Sequence, residues 1–430
     1  MNTIRKLYEH FRSAKGVGTD TRKLKKGALF FALKGPNFDG NSYAAKALDL
    51  GASLVVVDNP EVVKGDAYFL VEDVLKTLQD LARYHRKQFA GPVIGLTGSN
   101  GKTTTKELMQ QVLSRKYRVH ATEGNLNNHI GVPMTLLGIS ADTEMVIVEM
   151  GANRQGDIAE LCAIALPTHG FITNIGKAHL EGMGGPEGVL KTKTELFQFL
   201  LEAKGKVFIN TRQPVFSQMI RRFEDPVLFP GEADFCSISF HGADPFVVFS
   251  LGTDPHRYTS GLIGHYNFDN LAAAICMGIF FGVPAREAAA AAAAYTPSNM
   301  RSQILEKGSN WILLDAYNAN PSSMEEALNT FGKLDKRPHK MVIIGDMLEL
   351  GAHAVEEHQK LGERLQKMSL EKVCLTGDLV RHALPKVPKA LYFPDPFSLR
   401  NWLSDSSLED HQILIKGSRG MRLETLLDFI

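Results

Sequence analysis

The chain has 430 residues, more than one hydrophobic core usually serves, so two or three domains are expected. Its 44% apolar and 22% charged residues suit an ordinary soluble globular protein. The 48 Lys and Arg against 47 Asp and Glu leave a net charge of +1, which gives no reason to propose an electrostatic sheath for nucleic acid; anionic small molecules would need local clusters.

The start, MNTIRKLYEHF, lacks the apolar stretch of a signal peptide, and the best apolar run, Leu271 to Phe281, is too short to cross a bilayer. A cytoplasmic protein without integral membrane association is expected. Cys162, Cys236, Cys276 and Cys374 lie far apart with no CxxC spacing, so they read as buried thiols.

In chain order, residues 1 to 88 form a small α/β unit, with strand-like runs at Ala28–Leu33 and Leu54–Val57 and a helix-like stretch at Val74–Phe89. After Gly91-Pro92, the strand Val93–Leu96 leads into TGSNGKTTT and a helical stretch to Leu113. The apolar runs MVIVE (145–149), GFITNI (170–175) and KVFIN (206–210) alternate with helix-length segments, the pattern of a mainly parallel sheet covered by helices. Residues 232–260 suggest a more antiparallel edge. The Ala-rich stretch 270–294 reads as helix, with Pro284 in a first turn, and TPSNMR (296–301) reads as a linker. A further α/β unit follows, with strands in WILLDA (311–316), MVIIGD (341–346), KVCLTG (372–377) and ILIKG (413–417).

The sharpest local signal is the turn from Thr97 through Gly98, Ser99, Asn100 and Gly101 to Lys102. Two glycines let consecutive N–H groups converge on anionic oxygens, and the following helix adds its N-terminal N–H groups and positive dipole end. Lys102 can reach outer phosphates, and Thr103 can offer a hydroxyl to magnesium. Gly95 lies one position too far upstream for the general phosphate-loop pattern. A glycine-rich turn with a surface lysine is the bland alternative.

Glu149 ends a strand, and His179 lies in NIGKAHLEGMG. Parallel strands deliver their carboxyl ends to one sheet edge, so both residues can converge on a divalent ion beside the phosphates. A capping glutamate and a core histidine are the plainer alternative. Spacing alone does not distinguish Lys191 and Lys193 from solvated helix lysines. The cluster Asn125, Asn127, Asn128 and His129 reads either as a substrate contact or as a capped turn. In the last unit Asp315 and Asp346 both end strands, which points to a ligand-facing edge or to Asn-rich turns; Pro321 and Ser322 can start the helix after LLDAYNANPSSM.

Together these motifs resemble the Mur ligases, ATP-dependent amide-forming enzymes of peptidoglycan precursor assembly. TGSNGKTTT, VEMGANRQGDI, TNIGKAHLEGMGG, KTKTEL, GHYNFDN, DAYNANPSSM, GDMLELG and LIKGSRGM occur in the family's order, and TDTR (19–22) and FFALKGPNFDG (30–40) match its amino-terminal pieces. The last three motifs of the ordered set are closest to the member that adds D-alanyl-D-alanine to UDP-N-acetylmuramoyl-tripeptide.

The resemblance implies a three-domain α/β architecture with a central phosphate-loop sheet and a Rossmann-like carboxy-terminal domain. Residues 1–88 would bind the UDP-sugar, 89–298 ATP, and 299–430 the dipeptide. It implies that Lys102, Thr103 and Thr104 serve the ATP phosphates, and that Asn267, Asn270, Arg301, Asp315 and Tyr317 hold the rest of the nucleotide. Thr103, Glu149, His179 and a carbamylated Lys193 would hold two magnesium ions. Thr21, Arg22, Lys34 and Gly35 match positions facing the UDP-sugar, and Asn318, Asn320, Ser322 and Ser323 match the loop at the reaction centre. A monomer acting on small molecules is implied. Ala316 and Tyr266 depart from the common Ser and His. The rival classes are an ATPase with no ligation product and a non-catalytic binding protein.

Overall fold

A computed structural model of the chain describes residues 2–177 and 179–430. Near the amino terminus, four short parallel strands pair in the order Val17–Gly18, Leu29–Phe31, Leu54–Val57, Tyr68–Leu70. The helix Val74–Arg86, capped by Asp73, turns Leu78 and Leu81 into a core shared with Val132, Leu136 and Ile158 of the next unit. Arg86 fixes this seat by donating to the carbonyls of Ala165 and Leu166.

The middle of the chain builds a six-stranded, wholly parallel sheet. Its order is Val227–Phe229, Lys206–Asn210, His169–Ile172, Val93–Thr97, Met145–Glu149, Val119–Ala121. Val93–Thr97 is central and every residue in it is buried, because helices cover both faces. After this strand the chain first builds out to one side and then crosses to the other. The switch leaves a crevice at the strand's carboxyl end, where such sheets bind ligands.

Two sequence expectations need revision. Residues 238–263 do not edge the parallel sheet; they form a separate three-stranded antiparallel meander, bulged near Phe240 and Phe246. The Ala-rich stretch is two helices, Tyr266–Phe280 and Ala285–Ala293, broken at Gly282 (φ 77°), with Pro284 at the N-cap position of the second. Small Ala side chains let these helices pack closely on the phosphate-loop helix.

The last unit is a six-stranded sheet ordered Gln303–Lys307, Asn310–Asp315, His411–Lys416, His339–Gly345, Lys372–Thr376, Leu391–Phe393, with only the first strand antiparallel. Among the described residues no helix is long and apolar enough to cross a membrane.

Candidate active site

The turn after Val93–Thr97 is held in a shape that requires glycine. Gly98 (φ 143°) and Gly101 (φ 78°) lie in left-handed backbone, and a Cβ would meet Thr173 Oγ1 at 1.9 Å in the first case and Asn270 Oδ1 at 2.6 Å in the second. The segment after the neighbouring strand braces the turn. Asn174 accepts from the Asn100 N–H (3.0 Å) and donates to its carbonyl (3.1 Å), and Thr173 Oγ1 donates to the same carbonyl at 2.6 Å. Ser99 Oγ accepts from the Gly176 N–H at 2.9 Å. Lys102 opens the helix Lys102–Leu113, and its Nζ folds back onto the carbonyls of Gly98 (2.8 Å) and Ser99 (3.2 Å). Burial lowers its pKa, Glu149 opposes that shift, and the Arg301 cation reinforces it.

Glu149 is 1% exposed. One carboxylate oxygen accepts from Thr103 Oγ1 (2.9 Å), the other from Asn127 Nδ2 (2.8 Å). Its backbone N–H is taken by Thr122 Oγ1, and buried Lys106 donates to the Thr122 carbonyl at 2.7 Å. An anion so placed, beside a hydroxyl at the mouth of a phosphate loop, fits magnesium, which prefers a few oxygen ligands and keeps its waters and substrate phosphates. Among the described residues no three His, Cys, Asp or Glu side chains gather into a metal-sized group.

His179 lies in the same cleft with left-handed backbone, φ 51°, and its Nδ1 meets Glu349 Oε2 of the last unit at 2.7 Å. Lys193 projects from the helix Pro186–Glu202 and is 1% exposed, whereas Lys191 is exposed. Burial, and then repulsion from Lys102, pull the Lys193 pKa down to about 7.

The carboxy-terminal unit closes the other wall. Asp315 Oδ2 meets Lys416 Nζ at 2.5 Å, and Lys416 is 1% exposed. Arg301 stacks on Tyr317 with its guanidinium carbon 3.6 Å from the ring centre. Asn320 caps the helix Pro321–Lys333, and Ser322 Oγ accepts the Lys177 N–H at 2.9 Å. One cleft of about 730 Å³ is lined by residues 99–104, Asn125, Asn127, Asn128, Glu149, His179, Asn267, Asn270, Arg301, Asp315, Tyr317, Asn318, Asn320, Ser322 and Ser323.

Some expected residues do other work. Thr97 is 0% exposed and donates to the Met150 carbonyl, so it supports the turn from beneath the cleft. Asn267 and Asn270 bond to each other, and Asn270 Oδ1 accepts from Thr105, which commits much of their polarity to bracing the phosphate-loop helix. Asn128 Oδ1 caps the N–H groups of Ile130 and Gly131. Asp346 does not face a ligand: its carboxylate accepts the N–H groups of Asp378, Leu379 and Val380, as a cap does. Thr21, Arg22, Lys34 and Gly35 are outside the cleft lining; Arg22 is clasped to Asp20, and Lys34 pairs with Asp58 at 2.9 Å. Residues with no sequence-assigned role are Asn174, Lys106, Glu349 and Lys416. Glu349, Lys416 and Asn174 stood inside quoted motifs, the last in TNIGKAHLEGMGG, while Lys106 carried no signal beyond adjoining one.

Three family models match the chain: the Mur ligase catalytic domain over 13–86, the Mur ligase middle domain over 96–278, and the Mur ligase glutamate ligase domain over 300–419. The UDP-N-acetylmuramoyl-tripeptide--D-alanyl-D-alanine ligase of Bacillus subtilis is 34% identical, covering 96% of this chain and 92% of its own length. The Escherichia coli enzyme of the same name is 32% identical with the same two coverages. Among solved structures, MurF from Acinetobacter baumannii superposes with a TM-score of 0.87 at 29% identity, covering 99% of this chain and 97% of that one. MurF from Thermotoga maritima in complex with ADP gives 0.83 at 28% identity, covering 97% of each. By sequence over nearly its whole length and by fold, the chain belongs to the Mur ligase family.

Proposed function

We propose that this chain uses ATP to join D-alanyl-D-alanine to the terminal carboxylate of UDP-N-acetylmuramoyl-tripeptide in peptidoglycan precursor synthesis. The relatives that match from end to end carry that activity in their names. The observation that carries the reading is the shared cleft, in which the phosphate loop and the Thr103–Glu149 pair face the Asp315–Lys416 wall and the Asn- and Ser-rich loop. A simple ATPase has no need of that second wall.

In the first step a carboxylate oxygen attacks the γ-phosphorus, the bond to the β-phosphate oxygen breaks, and ADP leaves. Residues 98–104 cradle the phosphates, and Lys102 gives up its bonds to the Gly98 and Ser99 carbonyls to balance charge on the transferring group. In the second step the neutral amine attacks the acyl carbon, the carbon–oxygen bond to phosphate breaks, and one proton leaves the nitrogen. Arg301, Tyr317, Asp315, Asn267 and Asn270 hold the nucleoside side. Asn125, Asn127, Asn128, Asn318, Asn320, Ser322 and Ser323 flank the reacting groups. Thr21, Arg22, Lys34 and Gly35 receive the UDP-sugar end. In this division residues 1–88, 89–298 and 299–430 bind UDP-sugar, ATP and dipeptide in turn.

Bound magnesium would offset charge on the phosphate oxygens, held by Thr103 and Glu149 and by His179. When His179 donates Nδ1–H to Glu349, its Nε2 lone pair is left for a metal, the usual carboxylate–histidine arrangement. Lys193, with a pKa near 7, carries a large neutral fraction at neutral pH. Its nitrogen lone pair can therefore add to the carbon of CO2 and lose a proton, giving a carbamate. The new anion would replace the repulsion from Lys102 with attraction and could serve a second ion. ATP and the two substrates are small molecules, which suits an enzyme working in the cytoplasm, where ATP is made.

The test is ADP release with UDP-muramoyl-tripeptide, comparing D-alanyl-D-alanine, single amino acids and no acceptor. ADP should appear in proportion to amide and only with the dipeptide. Release that ignores the acceptor would instead make this an ATPase.

A further inference from the structure

We infer that Asn100 and Asn320 form a latch between the phosphate loop and the carboxy-terminal domain, and that this latch keeps water from the acyl phosphate; the inference rests on the ligase reading above. Asn320 Nδ2 donates to Asn100 Oδ1 at 2.7 Å. The amide orientation follows from the rest of the network. Asn320 Oδ1 must accept, because it receives the Ser323 N–H at 2.9 Å, while Ser323 Oγ receives the Asn320 N–H at 3.1 Å. That reciprocal cap leaves only the NH2 end of Asn320 to reach across, so Asn100 presents its oxygen.

Both partners are rigidly held. The Asn100 N–H and carbonyl are pinned by Thr173 and Asn174, so its side chain reports the position of the phosphate-binding turn. Asn320 is 8% exposed and caps a 13-residue helix whose first turn accepts the Lys177 N–H through Ser322. The first turn of that helix therefore grips both the phosphate loop and the segment that braces it. Two further links between these domains differ in kind. Lys177–Glu357 is an ion pair and His179–Glu349 an imidazole–carboxylate contact, each with one partner half exposed (50% and 57%), and salt and water weaken such rim contacts. The Asn–Asn bond is neutral and part-buried, so ionic strength leaves it intact.

If the latch opens, a water oxygen attacks the acyl carbon, the carbon–oxygen bond to phosphate breaks, and phosphate and a proton leave. The carboxylate returns and one ATP is spent without an amide. Asn100 and Asn320 act here as positioning residues, and the readout is the ratio of ADP released to amide formed. Asn320→Ser separates the two roles of its residue, since serine still caps the helix but is too short to reach Asn100. Asn100→Ala removes the other partner without touching the helix.

The full-length enzyme is assayed with ATP, magnesium, UDP-muramoyl-tripeptide and D-alanyl-D-alanine at low and high salt. Wild type should release one ADP per amide at both. Each single variant should raise the ratio roughly two- to tenfold, the worth of one hydrogen bond, and the double variant should do no worse than either single. A wild-type ratio of one that both variants keep, even with slower turnover, overturns the latch alone, as does a double variant whose defect is the product of the two. Wild type that releases ADP without amide overturns the ligase reading itself.

Discussion

Glu149 is a buried anion whose charge is met by neutral donors on both oxygens, from Thr103 and Asn127, with the Lys102 cation nearby. Glu149→Gln keeps the shape and the Asn-rich surroundings but removes the charge. It should lower kcat by ~10²–10³, the usual cost of losing one electrostatic stabiliser of a transition state, while the melting temperature stays near wild type. Unchanged turnover in an ADP-release assay would remove Glu149 from the chemistry. Lys193 gives a second test, with a sign set by its pKa. The folded value of about 7 lies below the ~10.4 of an unfolded chain, so between those values the unfolded state holds more protons and stability rises with pH. Lys193→Met removes an ionisable group from a dry site, so it should abolish ligation without lowering the melting temperature at pH 7. A drop of several degrees would mean that the lysine serves the fold. In the unsubstituted enzyme, CO2-free buffer should depress activity and bicarbonate restore it, more completely above pH 7 than below it.

At the scale of elements, short-range pattern was enough wherever a strand is a continuous apolar run. MVIVE is the strand Met145–Glu149 and KVFIN the strand Lys206–Asn210, because burial on both faces makes the middle an unbroken apolar run whose polar end residues mark its limits. The phosphate turn was equally legible, since its glycines answer a local backbone demand. Partners distant in sequence were not. Asp346 and Asp315 both end apolar strands, yet one caps three backbone N–H groups while the other meets Lys416, 101 residues away. The linker carries a similar long-range tie. Glu107, on the helix that starts at the phosphate loop, accepts from Tyr295 Oη at 2.5 Å and from Asn299 Nδ2 at 2.9 Å. The segment read as a plain linker is therefore anchored to the nucleotide-binding helix at its near end. Tyr295→Phe leaves Asn299 in place and should cost about 1 kcal/mol in chemical denaturation. It should also raise the KM for ATP, because the helix and the linker residue Arg301 are no longer aligned. A loss of stability with KM unchanged would make the anchor purely architectural.

Across the whole molecule, the central and carboxy-terminal domains already meet through Asn100–Asn320, Lys177–Ser322, Lys177–Glu357 and His179–Glu349. Acyl-phosphate chemistry needs this closure to exclude water, and product release needs it undone, so no contact can be so strong that the domains never part. Weak rim pairs suit that requirement: they guide closure, and solvent competes with them at every opening. Lys177→Glu tests this balance by setting a second carboxylate against Glu357, itself only 8% exposed and poorly able to escape. Repulsion should favour the open arrangement, giving a larger radius of gyration by X-ray scattering without nucleotide and a smaller difference from wild type once ATP and magnesium are present. Raising the salt should bring the variant back toward wild type, because screening weakens repulsion as it weakens attraction. The neutral Asn latch should be indifferent to the same salt. If scattering curves of variant and wild type coincide at low salt, the rim pairs contribute nothing to closure, and the neutral contacts alone hold the domains together.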